Sequence, residues 1–177
     1  MTVPRRIGRR AFATGAAAGL VSGLGGCGFH PLYAPAGDPS GVMQSVYVDI
    51  IANRNGQLLR QALQQRLEGT DSTVEKRFVL KVTFYEASES IGIQTNSTQT
   101  RQRDTGHAGW VLQRAEPPER KLTYGMVRAL DGYDILNDQF FYSELAEEGV
   151  ERRLADNMAD QIVQALAVYF RTHPNLG

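Results

Sequence analysis

The chain reads as an α+β domain: two helices packed on one face of a four-stranded sheet, in the order strand, helix, strand, strand, strand, helix. Two observations predict it. Apolar residues alternate with period two between Arg77 and Glu86. They recur near every fourth position in two other segments, one from about Gly56 to Glu68 and one ending at Arg171. A sheet with one fully apolar face needs a cover, and two amphipathic helices supply it.

The elements follow in order. Val46, Val48 and Ile50 alternate with Tyr47, Asp49 and Ile51, a short first strand. Asn53 or Asn55 is placed to cap the first helix, whose Leu59, Ala62, Leu63 and Leu67 share a face, and Gly69 is its natural stop. In the second strand Phe78, Leu80, Val82 and Phe84 point one way, and Val79, Lys81, Thr83 and Tyr85 the other. A polar stretch, Ser88 to Asp104, leads into a third strand at 107–112, with Gly106-His107-Ala108-Gly109 expected to mark a bulge or an irregular edge. Pro117-Pro118 makes a turn. Lys121 to Leu130 is the fourth strand, with Leu122, Tyr124, Met126 and Leu130 in phase, and Asp131-Gly132 reads as the turn after it. Three consecutive strands default to a meander. The last helix starts at Ser143 or Leu145, and Val150, Leu154, Met158, Ile162 and Leu166 line its core face. Its polar face mixes both charges, which fits a helix on a sheet and not one lying on a membrane.

Ahead of this domain, Arg5, Arg6, Arg9 and Arg10 precede a weakly apolar run, Ala11 to Leu24, and no acidic residue occurs before Asp38. Leu24-Gly25-Gly26 then leads into Cys27, the only cysteine. A charged start, a short apolar stretch and small residues describe a secretory signal, too short to span a bilayer. A cysteine directly after it looks like a bacterial lipobox, so Cys27 is expected to be cleaved to the first position and to carry a diacylglyceryl anchor. Each buried methylene contributes roughly 0.8 kcal/mol, and more than one acyl chain is needed for stable attachment. Gly8-Arg9-Arg10-Ala11-Phe12 resembles a twin-arginine export signal, with ordinary Sec export as the alternative. Gly28 is not the aspartate associated with inner-membrane retention, which favours the outer membrane. The division is therefore 1–26 signal peptide, 27–42 lipidated cysteine with a Pro- and Gly-containing tether, and 43–177 a single domain.

Cleavage leaves 151 residues with 15 basic against 19 acidic side chains, about −4 with His neutral. Such a charge offers no footprint for nucleic acid. With its one cysteine acylated, the domain has no disulfide and stands on its core alone. No run of 18 apolar residues follows Cys27, so no transmembrane helix is expected.

Cys27-Gly28-Phe29-His30-Pro31-Leu32-Tyr33 resembles the mature N-terminus of the LptE family of lipopolysaccharide-assembly lipoproteins. The order of strands and helices is similar to that family over nearly the whole mature chain, as are "TQTRQRDTG" and "ERRLADNMADQIVQALAVYF". The resemblance implies a non-enzymatic lipoprotein on the periplasmic side of the outer membrane. It would plug and help assemble the large LptD β-barrel and take part in delivering lipopolysaccharide to the outer leaflet. A long polar strand surface without a second hydrophobic face would suit a polar barrel lumen. The rival assignment is an auxiliary lipoprotein of a lipid-transporting ABC system.

The candidate contacts to lipopolysaccharide phosphates are Arg101 and Arg103 on one strand face, with Arg114, Arg120 and Lys121 near the next turn, because arginine grips phosphate with two parallel hydrogen bonds. The alternative for them is a solvated surface or the barrel wall. Catalytic and metal residues are expected to be none: His30, His107 and His173 lack ligand spacing. There is no nucleophile-elbow serine and no glycine-rich phosphate loop, so no cofactor is implied. Asp156 and Asp160, four apart on the last helix, read as solvated charges.

Overall fold

The computed structural model describes residues 40–68, 73–93, 99–117, 120–135 and 140–176. The signal segment, Cys27, most of the tether, Gly69 and Pro118 lie outside the described residues. A short helix α1 (Ser40–Met43) leads into β1 (Val46–Val48), α2 (Arg54–Leu67), β2 (Phe78–Ile93), β3 (Gln99–Arg114), β4 (Lys121–Asp134) and α3 (Phe140–Thr172), and a 3-10 turn follows at Pro174–Leu176. The sheet runs β1-β2-β3-β4. β1 pairs parallel with β2 across the α2 crossover, and β2, β3 and β4 form the expected antiparallel meander.

The core is the one the periodicities predict. Phe78 and Leu80 on β2, Leu112 on β3, Leu59 and Leu63 on α2, and Leu154, Met158, Ile162 and Leu166 on α3 are all at most 1% exposed. Each such side chain contributes about 1.5–3 kcal/mol by leaving water. The helices are also tied to each other. Arg54 reaches Glu148 and Glu151 (2.9 and 3.2 Å), and Arg66 reaches Asp156 and Asp160 (3.1 and 2.6 Å). The rising residue order of both sets means that α2 and α3 run in the same sense. Asp156 and Asp160 are thus not merely solvated, as their sequence positions suggested. They clasp the C-terminal end of α2.

Several local expectations change. Asn53 does hold the N-cap position, at φ 70 and ψ 163, a positive-φ conformation outside the left-handed helical well, and its side chain makes no capping bond. Its carbonyl accepts the Gln57 N–H instead (3.0 Å). β1 stops at Val48: the Asp49 N–H makes the last ladder bond, to the Leu80 carbonyl, and the Ile50 N–H then turns to the Asp49 carboxylate. The Gly106–Gly109 stretch carries no bulge: its register on both neighbours is continuous. The irregularities fall at Ser90–Ile93 and between Leu112 and Gln113. Gly106 gives the flexible end of Met158 room to approach the strand. A β-carbon there would stand 2.8 Å from Met158 Cε and 3.1 Å from its sulfur. Asp131-Gly132 is not a turn but part of β4, paired with Asp104 and Arg103.

The larger differences concern the sheet's length and its outer face. The polar stretch after Ser88 is ladder: β2 and β3 stay paired from Phe78–Arg114 out to Ile93–Gln99. Backbone pairing sustains this extension, helped by the Arg103–Glu89 ion pair between β2 and β3, so it needs no apolar alternation and shows none. On β4 the in-phase set Tyr124, Met126 and Leu130 points away from the helices, and Met126 is 82% exposed. The inner face of β4 is Thr123, Gly125, Val127 and Ala129, opposite Leu112, Trp110, Ala108 and Gly106. Small inner residues leave room for Trp110 and α3, so the large apolar side chains take the outside. The sheet therefore does have a partly apolar second face, which also carries exposed Tyr85 stacked on His107 with ring centroids 4.6 Å apart. Among the described residues, no helix is long and apolar enough to cross a membrane.

Candidate functional site

Three charged regions sit along the sheet, and the sequence had merged two of them. Arg101 and Arg103 lie on the outward extension of β3. There Arg101 Nε stands 3.7 Å from Asp134 on β4, and Arg103 Nη1 stands 2.9 Å from Glu89 on β2. Arg114, Arg120 and Lys121 lie at the opposite end, where β3 passes to β4. At about 3.3 Å per residue, roughly 36 Å of strand separates Arg103 from Arg114. The five basic residues thus form two groups, not one cluster. The outer pair has carboxylate partners, which an incoming phosphate would have to displace.

The second group borders a groove of about 430 Å³ between the β3–β4 end and the C-terminus of α3, with Leu122, Tyr169 and His173 in its wall. No carboxylate among the described residues lines it. Among the described residues neither Arg114 nor Arg120 has an ion-pair partner, and the Lys121 ammonium stands 3.8 Å over the Tyr124 ring. His173 stacks on Tyr169, and the Thr172 hydroxyl donates to the Val168 and Tyr169 carbonyls. The last turn of α3 is thereby capped, which limits the negative end of its dipole at the groove.

The third region escaped the sequence reading altogether. At the N-terminal end of α2, the Asn55 amide donates to Glu86 on β2 (2.7 Å) and to Glu151 on α3 (3.0 Å). These residues, with Asn53, Arg54, Phe84 and Tyr85, line a cleft of about 480 Å³. Partial burial raises the Glu86 carboxyl above its ordinary range. The Asn55 hydrogen bond opposes this, and the charges of Asp104, Glu151 and Glu147 add to it. Nearby Tyr133 is pushed up to about 12, first by burial and then by Glu147, Asp104 and Glu151. Asp104 is 2% exposed, and among the described residues its side chain accepts one long hydrogen bond, from Gln102 (3.5 Å). One signal was available: Asp104 shares the inward phase of Ala108, Trp110 and Leu112, where a charge is out of place. Through the Asn55 amide, Glu86 and Glu151 tie α2, β2 and α3 together. Among the described residues, no group of His, Cys, Asp or Glu is arranged to hold a metal ion. His107 is stacked on the outer face and His173 in the groove, far from each other along the strand direction. Cys27 and His30 lie outside the described residues.

Comparison with known proteins places this architecture. A lipoprotein from Caulobacter crescentus CB15, solved at 2.40 Å, superposes with a TM-score of 0.60 at 18% identity, over 75% of this chain and 96% of that one. The rare lipoprotein B from Shewanella oneidensis superposes with a TM-score of 0.52 at 13% identity, over 74% and 97%. Lipoprotein B from Nitrosomonas europaea gives 0.51 at 11% identity, over 70% and 82%. At these identities the likeness is one of fold. No curated protein matches the chain. The sequence model of the LptE lipopolysaccharide-assembly family matches residues 43–166, from α1 through all four strands and most of α3, and the chain belongs to that family.

Proposed function

We propose that this protein is a lipid-anchored outer-membrane lipoprotein, held through Cys27, that plugs and helps assemble an LptD-type β-barrel and takes part in delivering lipopolysaccharide to the outer leaflet. The family match over 43–166 carries this reading, because it spans both layers of the domain and not one motif. The fold supports it: two helices close one side of the sheet, and the other side and the long β2–β3 extension stay open to a partner. The role is one of assembly and binding, not catalysis. Within it, Arg101 and Arg103 are the residues best placed on the extension to meet lipopolysaccharide phosphates, in exchange for Asp134 and Glu89.

Depletion should leave the barrel misassembled and the surface poor in lipopolysaccharide, and capture of the lipoprotein from detergent should bring down an integral β-barrel. Reversing Arg101 and Arg103 to Glu should weaken lipopolysaccharide binding by the purified protein, most at low salt where screening is least. Normal surface lipopolysaccharide on depletion would overturn the reading. Cys27→Ser should lose incorporation of a clickable palmitate analogue. Equal label on both forms would exclude Cys27 as the anchor.

A further inference from the structure

The groove between the β3–β4 end and the C-terminus of α3 is left without a role by that reading. We infer that it binds the phosphate headgroup of an anionic phospholipid in the membrane to which the chain is attached. Arg114 and Arg120 offer two guanidinium forks, the donor set that matches a phosphate, and among the described residues no carboxylate pairs with them. Leu122 and Tyr169 give the wall an apolar strip for the glycerol end of a lipid. A volume of about 430 Å³ lies at the small end of ligand pockets and suits a glycerophosphate headgroup, not a large glycolipid one.

Topology points to the same occupant. The chain leading back to Cys27 enters the sheet at Ser45, whose carbonyl accepts the N–H groups of Arg77 (2.9 Å) and Phe78 (3.1 Å). Val46 pairs with Phe78, and Phe78 with Arg114. Two strand spacings, about 10 Å, therefore separate the chain's entry from the basic rim. The tip of the β2–β3 extension is roughly 50 Å away along β2. The described chain enters the sheet at the end that carries Arg114 and Arg120, so an anchor at Cys27 would bring a phospholipid surface within the tether's reach of that end.

This orientation rests on the Cys27 anchor proposed above, and the test separates the two. The mature acylated protein is mixed with phosphatidylcholine vesicles carrying increasing fractions of phosphatidylglycerol, floated, and examined by amide hydrogen exchange. The anchor alone predicts flotation with pure phosphatidylcholine. The groove predicts added protection at Arg120–Leu122 and His173–Leu176 that grows with phosphatidylglycerol and fades at high salt. In R114E/R120E the phosphatidylglycerol fraction giving half-protection should rise at least about 25-fold, from roughly fivefold for each of the two positive charges removed. R114Q/R120Q gives a milder variant should the reversal disturb folding, which a thermal melt would reveal.

Flotation with identical exchange at every phosphatidylglycerol fraction would overturn the groove while leaving the anchor intact. Failure to float on pure phosphatidylcholine, with Arg-dependent protection on anionic vesicles, would overturn the anchor and support the groove. Protection only by vesicles that carry lipopolysaccharide would return the groove to lipopolysaccharide handling and overturn the phospholipid assignment.

Discussion

Gly125→Ala tests the packing of β4 against the one tryptophan of the chain. Gly125 faces Trp110 across the β3–β4 ladder, and Trp110 is 5% exposed between the sheet and α3. A β-carbon at position 125 would lie 2.7 Å from Trp110 Cζ2, 2.9 Å from Cε2 and 3.0 Å from Nε1. Those are ring atoms of a rigid side chain, so relief requires the whole indole to shift against the helix. Forcing one methyl into such a site costs about 1–3 kcal/mol. For a domain of this size that lowers Tm by roughly 4 °C per kcal/mol. The assay is urea unfolding of the chain from residue 28, followed by the intrinsic fluorescence of Trp110 itself, the group being displaced. The midpoint should fall with an unchanged slope, which marks lost stability and not a changed denatured state. Trp110→Phe removes the atoms in conflict, so Gly125→Ala should cost less in that background. Residues in contact couple by about 0.5–3 kcal/mol, and circular dichroism can read this cycle without the tryptophan. A neutral Gly125→Ala, or an equal cost in both backgrounds, would refute the packing described for β4.

Three further outcomes are expected. Leu80→Asp or Ile162→Asp buries a carboxylate at a site fully closed to solvent, and should cost several kcal/mol and abolish a cooperative melt; an unchanged Tm for both would mean that the helix and sheet faces are misassigned. Glu86 has a raised carboxyl pKa, so its ionisation disfavours the fold: the stability tied to its proton is complete below the unfolded value near 4.5 and is lost as pH rises through the folded value. Glu86→Gln should therefore stabilise the protein at neutral pH and converge with the parent near pH 4, as seen in denaturant midpoints across that range; a constant difference at all pH would remove the titration from the explanation. Arg66→Ala should cost under about 1 kcal/mol, because its partners Asp156 and Asp160 are more than half exposed, and salt should shrink the difference; a loss above 3 kcal/mol would show the clasp to be structural.

Much of the fold was written along the chain. The alternation Phe78, Leu80, Val82 and the helical recurrence Leu154, Met158, Ile162, Leu166 are local periodicities, and each names its buried face without knowledge of its partner. The order of elements and the meander follow from short connections between neighbours. The family resemblance was legible in the same way, as a string of adjacent residues at Cys27–Tyr33 together with that order, and the family match over 43–166 agrees with it.

What the sequence alone could not decide depends on which residues meet across the fold. Tyr124, Met126 and Leu130 have the same period as a core face, and only Trp110 and α3, pressing on Gly125 and Ala129, send them outward. Arg103 and Arg114 are eleven positions apart, with a bulge or an irregular edge expected at Gly106–Gly109 between them, and one continuous strand holds them far apart along the sheet. Glu86, Asn55 and Glu151 come from three distant segments and become one site only because α2, β2 and α3 converge. Local pattern reports the water preference of each residue, whereas pairing register and helix docking set who its neighbours are, and charge chemistry depends on neighbours.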